Sequence, residues 1–294
     1  MAEAQPVDPP DGEGNRHHRL NRSNLSHAVP IQPSAPPKLR VMRLHKKFAG
    51  TPVLRGISFD VYPSEKFFLI GPSGSGKSTV LRCINHLVPP DDGQVLLDGS
   101  LVGTAKRGAG SIVKVSARAT ERMRARMPMV FQQFNLFANL DVLGNVTVSQ
   151  RQVLKRSREE AEQIAYAMLE RVGLKDKARA QVSTLSGGQQ QRVGIARALA
   201  MQPEVILFDE PTSALDPETV GEVLSIMQDL ASQGLTMIVV THEMNFARRT
   251  ADTVALIRDG LIVEQGPAQQ VMDAPRSDYT RQFISALDTR GARP

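Results

Sequence analysis

Short apolar runs recur along the chain, and each of them ends at glycine or polar residues. Residues 66–70 lead into a glycine-rich stretch, residues 205–208 end at two acidic residues, and residues 237–240 end at a Thr-His pair. Apolar runs without alternation are typical of strands in a parallel sheet that is covered on both faces. We therefore predict a central parallel sheet whose strands end at polar residues.

Helical spacing appears between these runs. Ser157 and Glu160 form a capping-box pattern, apolar residues then recur at helical spacing over residues 157–172, and Gly173 ends the pattern. Strands that alternate with helices predict an α/β fold. Residues 253–264 predict a hairpin with a glycine in its turn.

The two ends of the chain differ from its middle. Residues 1–37 are rich in Pro, Asn, Ser and His and contain few large apolar side chains. Such a segment buries too little apolar surface to offset its ordering entropy, so we predict a disordered tail. From Lys38 the pattern becomes regular. With 41% hydrophobic residues in 294, the chain can bury a sizeable core.

The composition of the chain limits where in the cell it is expected to act. No run of 18 apolar residues is present, and the first residues show no signal-peptide pattern. The one cysteine, Cys83, excludes a disulfide framework within the chain and a multi-cysteine zinc site. A cytosolic setting is expected.

Positive charge is concentrated in residues 106–126. This insert holds seven basic residues and one acidic residue, a difference equal to the formal net charge of the whole chain, +6. It is either a solvated, partly helical insert or a contact for acidic headgroups or a partner. No aromatic residue interleaves with the charges, which argues against a base-stacking nucleic-acid platform.

The glycine-rich stretch after residues 66–70 matches the Walker A pattern between a predicted strand and a helix predicted to run through Leu87. Glycines let successive N–H groups aim at a phosphate, Lys77 can reach the β- and γ-phosphates, and Ser78 can bind Mg²⁺. ATP and Mg²⁺ are the expected ligands. The predicted nucleotide-binding residues are Gly71, Pro72, Ser73, Gly74, Ser75, Gly76, Lys77, Ser78 and Thr79.

Two carboxylates follow the apolar run at 205–208. Asp209 is placed to hold Mg²⁺, and Glu210 to polarise the water that attacks the γ-phosphate. An acidic turn after a strand is the alternative. The phosphate loop favours the catalytic interpretation, because Mg²⁺ needs ligands from both sides.

A second anion-binding pattern follows further along the chain. Ser186, Gly187, Gly188 and Gln189 precede a helix predicted over residues 190–201, and helix N-termini attract phosphate. One loop already holds the triphosphate, so the second has no obvious use in the same subunit. A two-fold dimer, in which each subunit covers the γ-phosphate bound by the other, resolves this.

In this order, these motifs resemble those of the ATP-binding cassette ATPases, whose signature is Leu-Ser-Gly-Gly-Gln. The resemblance covers residues 38–285 and leaves tails at 1–37 and 286–294. It implies an α/β fold: a P-loop NTPase RecA-like core, an antiparallel β-subdomain and an inserted helical subdomain at about residues 135–190.

The resemblance also assigns roles to single residues. Gln132 matches the glutamine that touches Mg²⁺ and the attacking water, with Gln133 as the alternative. His242 matches the histidine that contacts the γ-phosphate. Asp216 matches the aspartate of the loop that crosses the dimer interface, and Phe48 matches the aromatic residue that stacks on adenine.

The local sequences around Gln132, Glu210 and His242 resemble those of the ATPases of bacterial polar amino-acid importers, including the histidine, glutamine, arginine and ectoine branches. Asn245 departs from this pattern, which usually has glycine there. The resemblance implies a homodimer, or pairing with a second ATPase chain. It also implies two transmembrane permease subunits and a peripheral position on the cytoplasmic face of the inner membrane. A solute-binding protein outside the cell would be an indirect partner.

Two rival functions remain open at the level of sequence. A soluble ATPase of this type could act on nucleic acid or the ribosome, although the chain holds one cassette and no long heptad run. A non-hydrolysing regulator is the second rival, and Glu210 and His242 argue against it. An apolar cluster after Gln132 either packs the helical subdomain or lines a groove for a membrane subunit. It consists of Phe134, Leu136, Phe137 and Leu140.

Overall fold

The computed structural model describes Met1 and residues 35–107 and 111–291, so nearly all of the predicted tail at 1–37 lies outside the described residues. The strands are β1 Leu39–Phe48, β2 Thr51–Val61, β3 Lys66–Ile70, β4 Asp92–Leu97, β5 Ser100–Leu101, β6 Thr104–Arg107, β7 Ser111–Lys114, β8 Met129–Val130, β9 Val205–Asp209, β10 Thr236–Val240, β11 Thr253–Arg258 and β12 Leu261–Pro267. The helices are α1 Lys77–Ile84, α2 Ala117–Arg126, α3 Val142–Val153, α4 Arg158–Arg171, α5 Gly187–Leu199, α6 Pro217–Ser232, α7 Met244–Thr250, α8 Ala268–Asp273 and α9 Asp278–Gly291.

The described strands form two sheets. The first is antiparallel, with the order β2-β1-β4-β6-β7 and with β5 paired to β4. The second has the order β12-β11-β3-β10-β9-β8, and its pairs are parallel except for the β11–β12 hairpin. The predicted parallel sheet and the predicted hairpin are both confirmed.

The inner strands of the second sheet, β3, β9, β10 and β11, are buried on both faces, which is why they are largely apolar. In β3, Phe67 and Leu69 pack into a core shared with the first sheet and α1. Phe68 and Ile70 point the other way, into a core built with α3 to α8. Alternate residues of one strand therefore serve two different cores.

The helix boundaries follow local chemistry. The Ser157 hydroxyl accepts a hydrogen bond from the Glu160 N–H, α4 begins after it, and Gly173 follows the helix with a φ of 69°. The helix predicted to run through Leu87 is shorter, because α1 ends at Ile84 and His86 adopts a left-handed φ of 56°. The helix predicted over residues 190–201 begins earlier, at Gly187, because the preceding serine caps it.

The basic insert contains β6, β7 and α2, and part of its charge is used inside the fold. Arg124 donates hydrogen bonds to the backbone carbonyls of Asn85 and His86. Arg126 pairs with Asp98 at 2.5 Å and with Glu204 at 2.6 Å. These two arginines therefore fasten the insert to the rest of the chain instead of forming a free basic patch.

The pairing of Glu204 predicts how stability depends on pH. Hydrogen bonds from Arg126 lower the pKa of Glu204 to about 2, against an ordinary value of 4.5, and Lys38 adds to the effect. The stabilisation is therefore complete above pH 4.5 and is lost as the pH falls through about 2. We expect Glu204→Gln to lower the melting temperature at pH 7 and to leave it unchanged near pH 2, as measured by circular dichroism.

Glu170 provides the matched control for this experiment. Its carboxylate pairs with Lys175 at 3.0 Å, but both side chains are more than half exposed. An exposed pair contributes little to stability, so Glu170→Gln should leave the melting temperature nearly unchanged at both pH values. Equal effects of the two variants at pH 7 would contradict the stabilising role of Glu204.

Candidate nucleotide-binding site

Three loops meet at one edge of the second sheet. In the parallel register, Val240 lies beside both Leu69 and Asp209. The residues that follow β3, β9 and β10 therefore leave the sheet at neighbouring points. Ligands of open α/β sheets bind at the carboxyl ends of the strands, and all three predicted motifs lie there.

The loop between β3 and α1 needs glycine at specific points. Gly71, Gly74 and Gly76 have backbone φ values of 144°, 78° and 104°, which residues other than glycine rarely adopt. Gly71 also lies against β11, since a Cβ there would stand 2.1 Å from the Ile257 carbonyl oxygen. This backbone curls tightly and ends at the N-terminus of α1, which favours an anion.

Lys77 lies beneath this loop. Its side chain is 4% exposed, and its ammonium group donates hydrogen bonds to the carbonyls of Gly71 at 2.9 Å and Pro72 at 3.1 Å. The same Nζ stands 3.9 Å from a carboxylate oxygen of Glu210. Burial lowers the pKa of Lys77, and the nearby carboxylates of Glu210 and Asp209 act against this shift. A phosphate would compensate the buried charge.

Ser78 and Asp209 form a pair of oxygen donors. The Ser78 hydroxyl donates to Asp209 Oδ1 at 2.6 Å, and Arg82 lies 3.7 Å from Oδ2. Burial raises the pKa of Asp209, and the Ser78 hydrogen bond opposes that shift. Among the described residues no cluster of three or more His, Cys, Asp or Glu could hold a metal ion. A hydroxyl and one carboxylate suit Mg²⁺, which takes its remaining ligands from phosphate and water.

Glu210 and His242 contact each other across the neighbouring strands β9 and β10. His242 Nε2 lies 2.9 Å from Glu210 Oε1, and this hydrogen bond is the main cause that lowers the pKa of Glu210. The backbone of Glu210 is left-handed, with a φ of 47°, and its N–H donates to the Val240 carbonyl. The carboxylate is thus held ionised and oriented beside Lys77.

The second anion-binding pattern lies at the start of α5. Ser186 is exposed and caps the helix through a capping box with Gln189. Gly188 is required by packing, because a Cβ there would stand 2.7 Å from the Thr219 side chain in α6. Within the part of the chain that the structure describes, no hydrogen bond or ion pair joins Ser186 to Lys77.

Three further predicted site residues, Gln132, Asp216 and Phe48, are exposed. Gln132 follows β8, which pairs with β9 beside Phe208, so Gln132 leaves the sheet next to the Glu210 loop. Asp216 caps α6. Phe48 ends β1 with 46% of its surface exposed, and the Lys46 ammonium lies 5.5 Å from its ring.

Two side chains at this site, those of Arg82 and Thr212, were not predicted from the sequence motifs. Arg82 reaches Asp209 from one helical turn beyond Ser78, a spacing that could have pointed to it. The Thr212 hydroxyl donates to Glu243 at 3.3 Å and links the loops that follow β9 and β10. No local pattern announces this contact, because the two residues are 31 positions apart.

Gly71 gives a test of the loop geometry. We expect Gly71→Ala to lower the free energy of unfolding by about 3 kcal/mol or more, because its Cβ would overlap the Ile257 carbonyl and its φ is unfavourable. Gly221, inside α6 with nothing within 4 Å of a Cβ, is the control. Gly221→Ala should raise stability by about 0.5–1 kcal/mol. Urea unfolding measures both, and similar effects would contradict the close approach.

The strand-end loops, the buried lysine and the paired carboxylates together define a P-loop NTPase of the ATP-binding cassette type. Residues 54–213, more than half of the chain, match the family model described as ABC transporter. The chain belongs to the ABC transporter family. The resemblance, the fold class and the ATPase activity expected from the sequence are confirmed.

Curated relatives match over most of their length. The arginine transport ATP-binding protein ArgV of Corynebacterium glutamicum is 48% identical over 242 residues, which are 82% of this chain and 95% of that protein. The histidine/lysine/arginine/ornithine transport ATP-binding protein HisP of Salmonella typhimurium is 47% identical over 248 residues, 84% of this chain and 96% of that protein.

A solved structure also matches. The ATP-binding cassette MJ0796, in a dimeric post-hydrolysis state bound to ADP and Pi, superposes with a TM-score of 0.67 at 32% identity. The match covers 78% of this chain and 98% of that chain. That cassette is therefore a nucleotide-bound dimer. Of the helices that the structure describes here, none has the length and hydropathy needed to cross a membrane.

Proposed function

We propose that the chain is the ATP-hydrolysing subunit of a bacterial importer for a polar amino acid or a related compatible solute. The observation that carries this proposal is near-half identity to amino-acid transport ATPases over almost their full length. The geometry at the sheet edge supports it, because Lys77, Asp209, Glu210 and His242 are brought together around the phosphate loop.

Each residue has a part in hydrolysis that follows from its position. Lys77 binds the β- and γ-phosphates and stabilises the charge that develops on the γ-phosphate, together with His242. The Glu210 carboxylate, kept ionised, polarises the attacking water. Ser78, Asp209 and Gln132 would hold Mg²⁺, which neutralises phosphate charge when bound. The adenine would stack on Phe48.

The site is incomplete in one chain, and a homodimer completes it. Ser186, Gly187, Gly188 and Gln189 would cover the γ-phosphate bound by a second copy, with Asp216 at the interface. The exposed Ser186 and its lack of contact with Lys77 among the described residues support this arrangement. Pairing with a different ATPase chain is the alternative.

The proposed partners are two membrane-spanning permease subunits, with a solute-binding protein outside the cell acting through them. The chain would then lie at the cytoplasmic face of the inner membrane as a peripheral subunit. The nucleic-acid alternative loses part of its support, since two of the seven basic residues of the insert, Arg124 and Arg126, are engaged inside the fold. The proposed cassette spans residues 38–285, with a helical subdomain at about residues 135–190 that contains α3 and α4.

Uptake in a deletion strain tests the function. Cells that lack this gene should lose accumulation of one labelled polar amino acid, and the wild-type gene should restore it. A Glu210→Gln gene expressed at the same level should not restore it. Affinity purification from detergent extracts should bring down membrane proteins. Normal uptake of every polar amino acid, together with bound RNA or DNA, would contradict the proposal.

A further inference from the structure

The residues that follow β8, 131–137, lie against α5, and we call them the post-β8 segment. The fully buried Gln191 of α5 donates a hydrogen bond from Nε2 to the Phe131 carbonyl at 3.2 Å. At the start of the same helix, a Cβ on Gly187 would stand 3.4 Å from the Phe134 ring. The segment therefore touches α5 at its first turn and again one turn later.

Arg197, near the end of α5, makes the strongest of these contacts. Its guanidinium donates to the Asn135 carbonyl at 2.7 Å and to the Phe134 carbonyl at 3.3 Å. It also lies 6.0 Å from the centre of the Phe137 ring. Asn135 has a left-handed φ of 49°. One planar group thus holds two successive carbonyls and covers an aromatic ring, a geometry that an arginine fork provides and a lysine does not.

Burying the positive charge of Arg197 costs free energy, because the guanidinium loses hydration. Within the part of the chain that the structure describes, no carboxylate pairs with Arg197, and loss of hydration lowers its pKa. Its described partners are neutral carbonyls and a ring. An apolar side chain would pack a helix face at lower cost, so the arginine has a reason beyond filling space.

The segment is held at its far end as well. Asn145, fully buried in α3, accepts a hydrogen bond from the Phe137 N–H at 2.7 Å and donates one to the Phe137 carbonyl at 3.1 Å. Helices α3 and α5 share one core. On the other side the segment continues directly from β8 and the sheet edge. It is therefore the stretch of chain through which Gln132 is connected to both helices.

We infer that Arg197 is a positioning residue that fastens the post-β8 segment to α5, so that Gln132 and the helix start at Ser186 move as one body when nucleotide binds. This inference rests on the proposed roles of Gln132 and Ser186 and extends them. Arg197 touches no reacting atom. It acts through the two carbonyls that it holds.

Hydrogen exchange on the full-length chain, with and without Mg-ATP, tests the inference. In the parent protein, ATP should slow exchange both in the post-β8 segment and at residues 186–190. In Arg197→Met, slowing at 186–190 should persist, while the change in the segment should fall at least about fivefold, because both anchoring bonds are lost. We also expect kcat to fall about tenfold with an unchanged KM for ATP.

Arg192 is the matched control on the same helix. It is similarly half-buried, donates to the Val172 carbonyl at 3.1 Å and pairs with Glu222 at 3.2 Å, away from the post-β8 segment. Arg192→Met should lower stability yet keep the paired exchange response. A parental response in Arg197→Met, or the same loss in Arg192→Met, would overturn the inference.

A folding failure of the variant and a failure of the proposed function can each be distinguished from a failure of the inference. If Arg197→Met fails to fold, Arg197→Lys keeps the charge and one carbonyl bond and should still reduce the segment's response at least about twofold. An unreduced response would overturn the inference. If the parent chain binds ATP but never hydrolyses it, the proposed function is wrong. The exchange experiment then still measures whether Arg197 connects the post-β8 segment to α5.

Discussion

Glu210→Gln is expected to reduce ATP turnover by at least about a hundredfold while ATP remains bound. The carboxylate oxygen of Glu210 stands 2.9 Å from His242 Nε2 and 3.9 Å from Lys77 Nζ, and its pKa is lowered mainly by the histidine. An amide of the same shape keeps the packing but cannot polarise water. Phosphate release measures the rate, and size-exclusion chromatography with ATP should show a trapped dimer.

Glu159→Gln is the control for this change. Glu159 is an exposed carboxylate in the first turn of α4, outside the loops that form the site. The same substitution there should leave both turnover and the oligomeric state unchanged. If Glu210→Gln kept normal turnover, another group would have to polarise the water, and the proposed role of Glu210 would be wrong.

Lys77→Met is expected to weaken ATP binding at least about a hundredfold. The ammonium is buried beneath the loop and holds the carbonyls of Gly71 and Pro72. Methionine has a similar length but no charge, so the phosphates lose their main positive partner and both carbonyls lose a donor. Titration with a fluorescent ATP analogue measures the affinity.

Lys66→Met controls for the loss of a lysine near the same strand. Lys66 begins β3, lies mostly buried, and pairs with Asp252 at 3.5 Å, at the opposite end of the strand from the phosphate loop. Its replacement should leave ATP affinity within about twofold of the parent. Unchanged affinity in Lys77→Met would contradict the proposed phosphate contact.

Much of the fold follows from local pattern. The apolar runs at 66–70 and 205–208 form buried strands on either side of β10, and they are apolar because both faces of the sheet are covered. The glycines of the phosphate loop have the positive φ values that their spacing suggests. Ser157 and Gly173 mark the ends of a helix through chemistry that acts over three or four residues.

The rest depends on contacts between distant residues. Arg126 binds carboxylates 28 and 78 positions away, so a run of basic residues could not reveal that its charge is partly internal. Arg197 binds a carbonyl 62 positions away. The start of α5 was predicted too late for a local reason instead, because Ser186 and Gln189, three positions apart, form a capping box that brings both glycines into the helix.

Site-specific cross-linking tests the composite site most directly. Ser73 and Ser186 are exposed, and the native Cys83 is buried with a pKa raised to about 12, so it stays unreactive. Chains with Ser73→Cys and chains with Ser186→Cys, both in the Glu210→Gln background, are mixed with ATP and a short thiol cross-linker. We expect covalent dimers in the mixture and none in either variant alone. A trapped dimer without cross-links in the mixture, or equal cross-linking in each variant alone, would contradict the composite site.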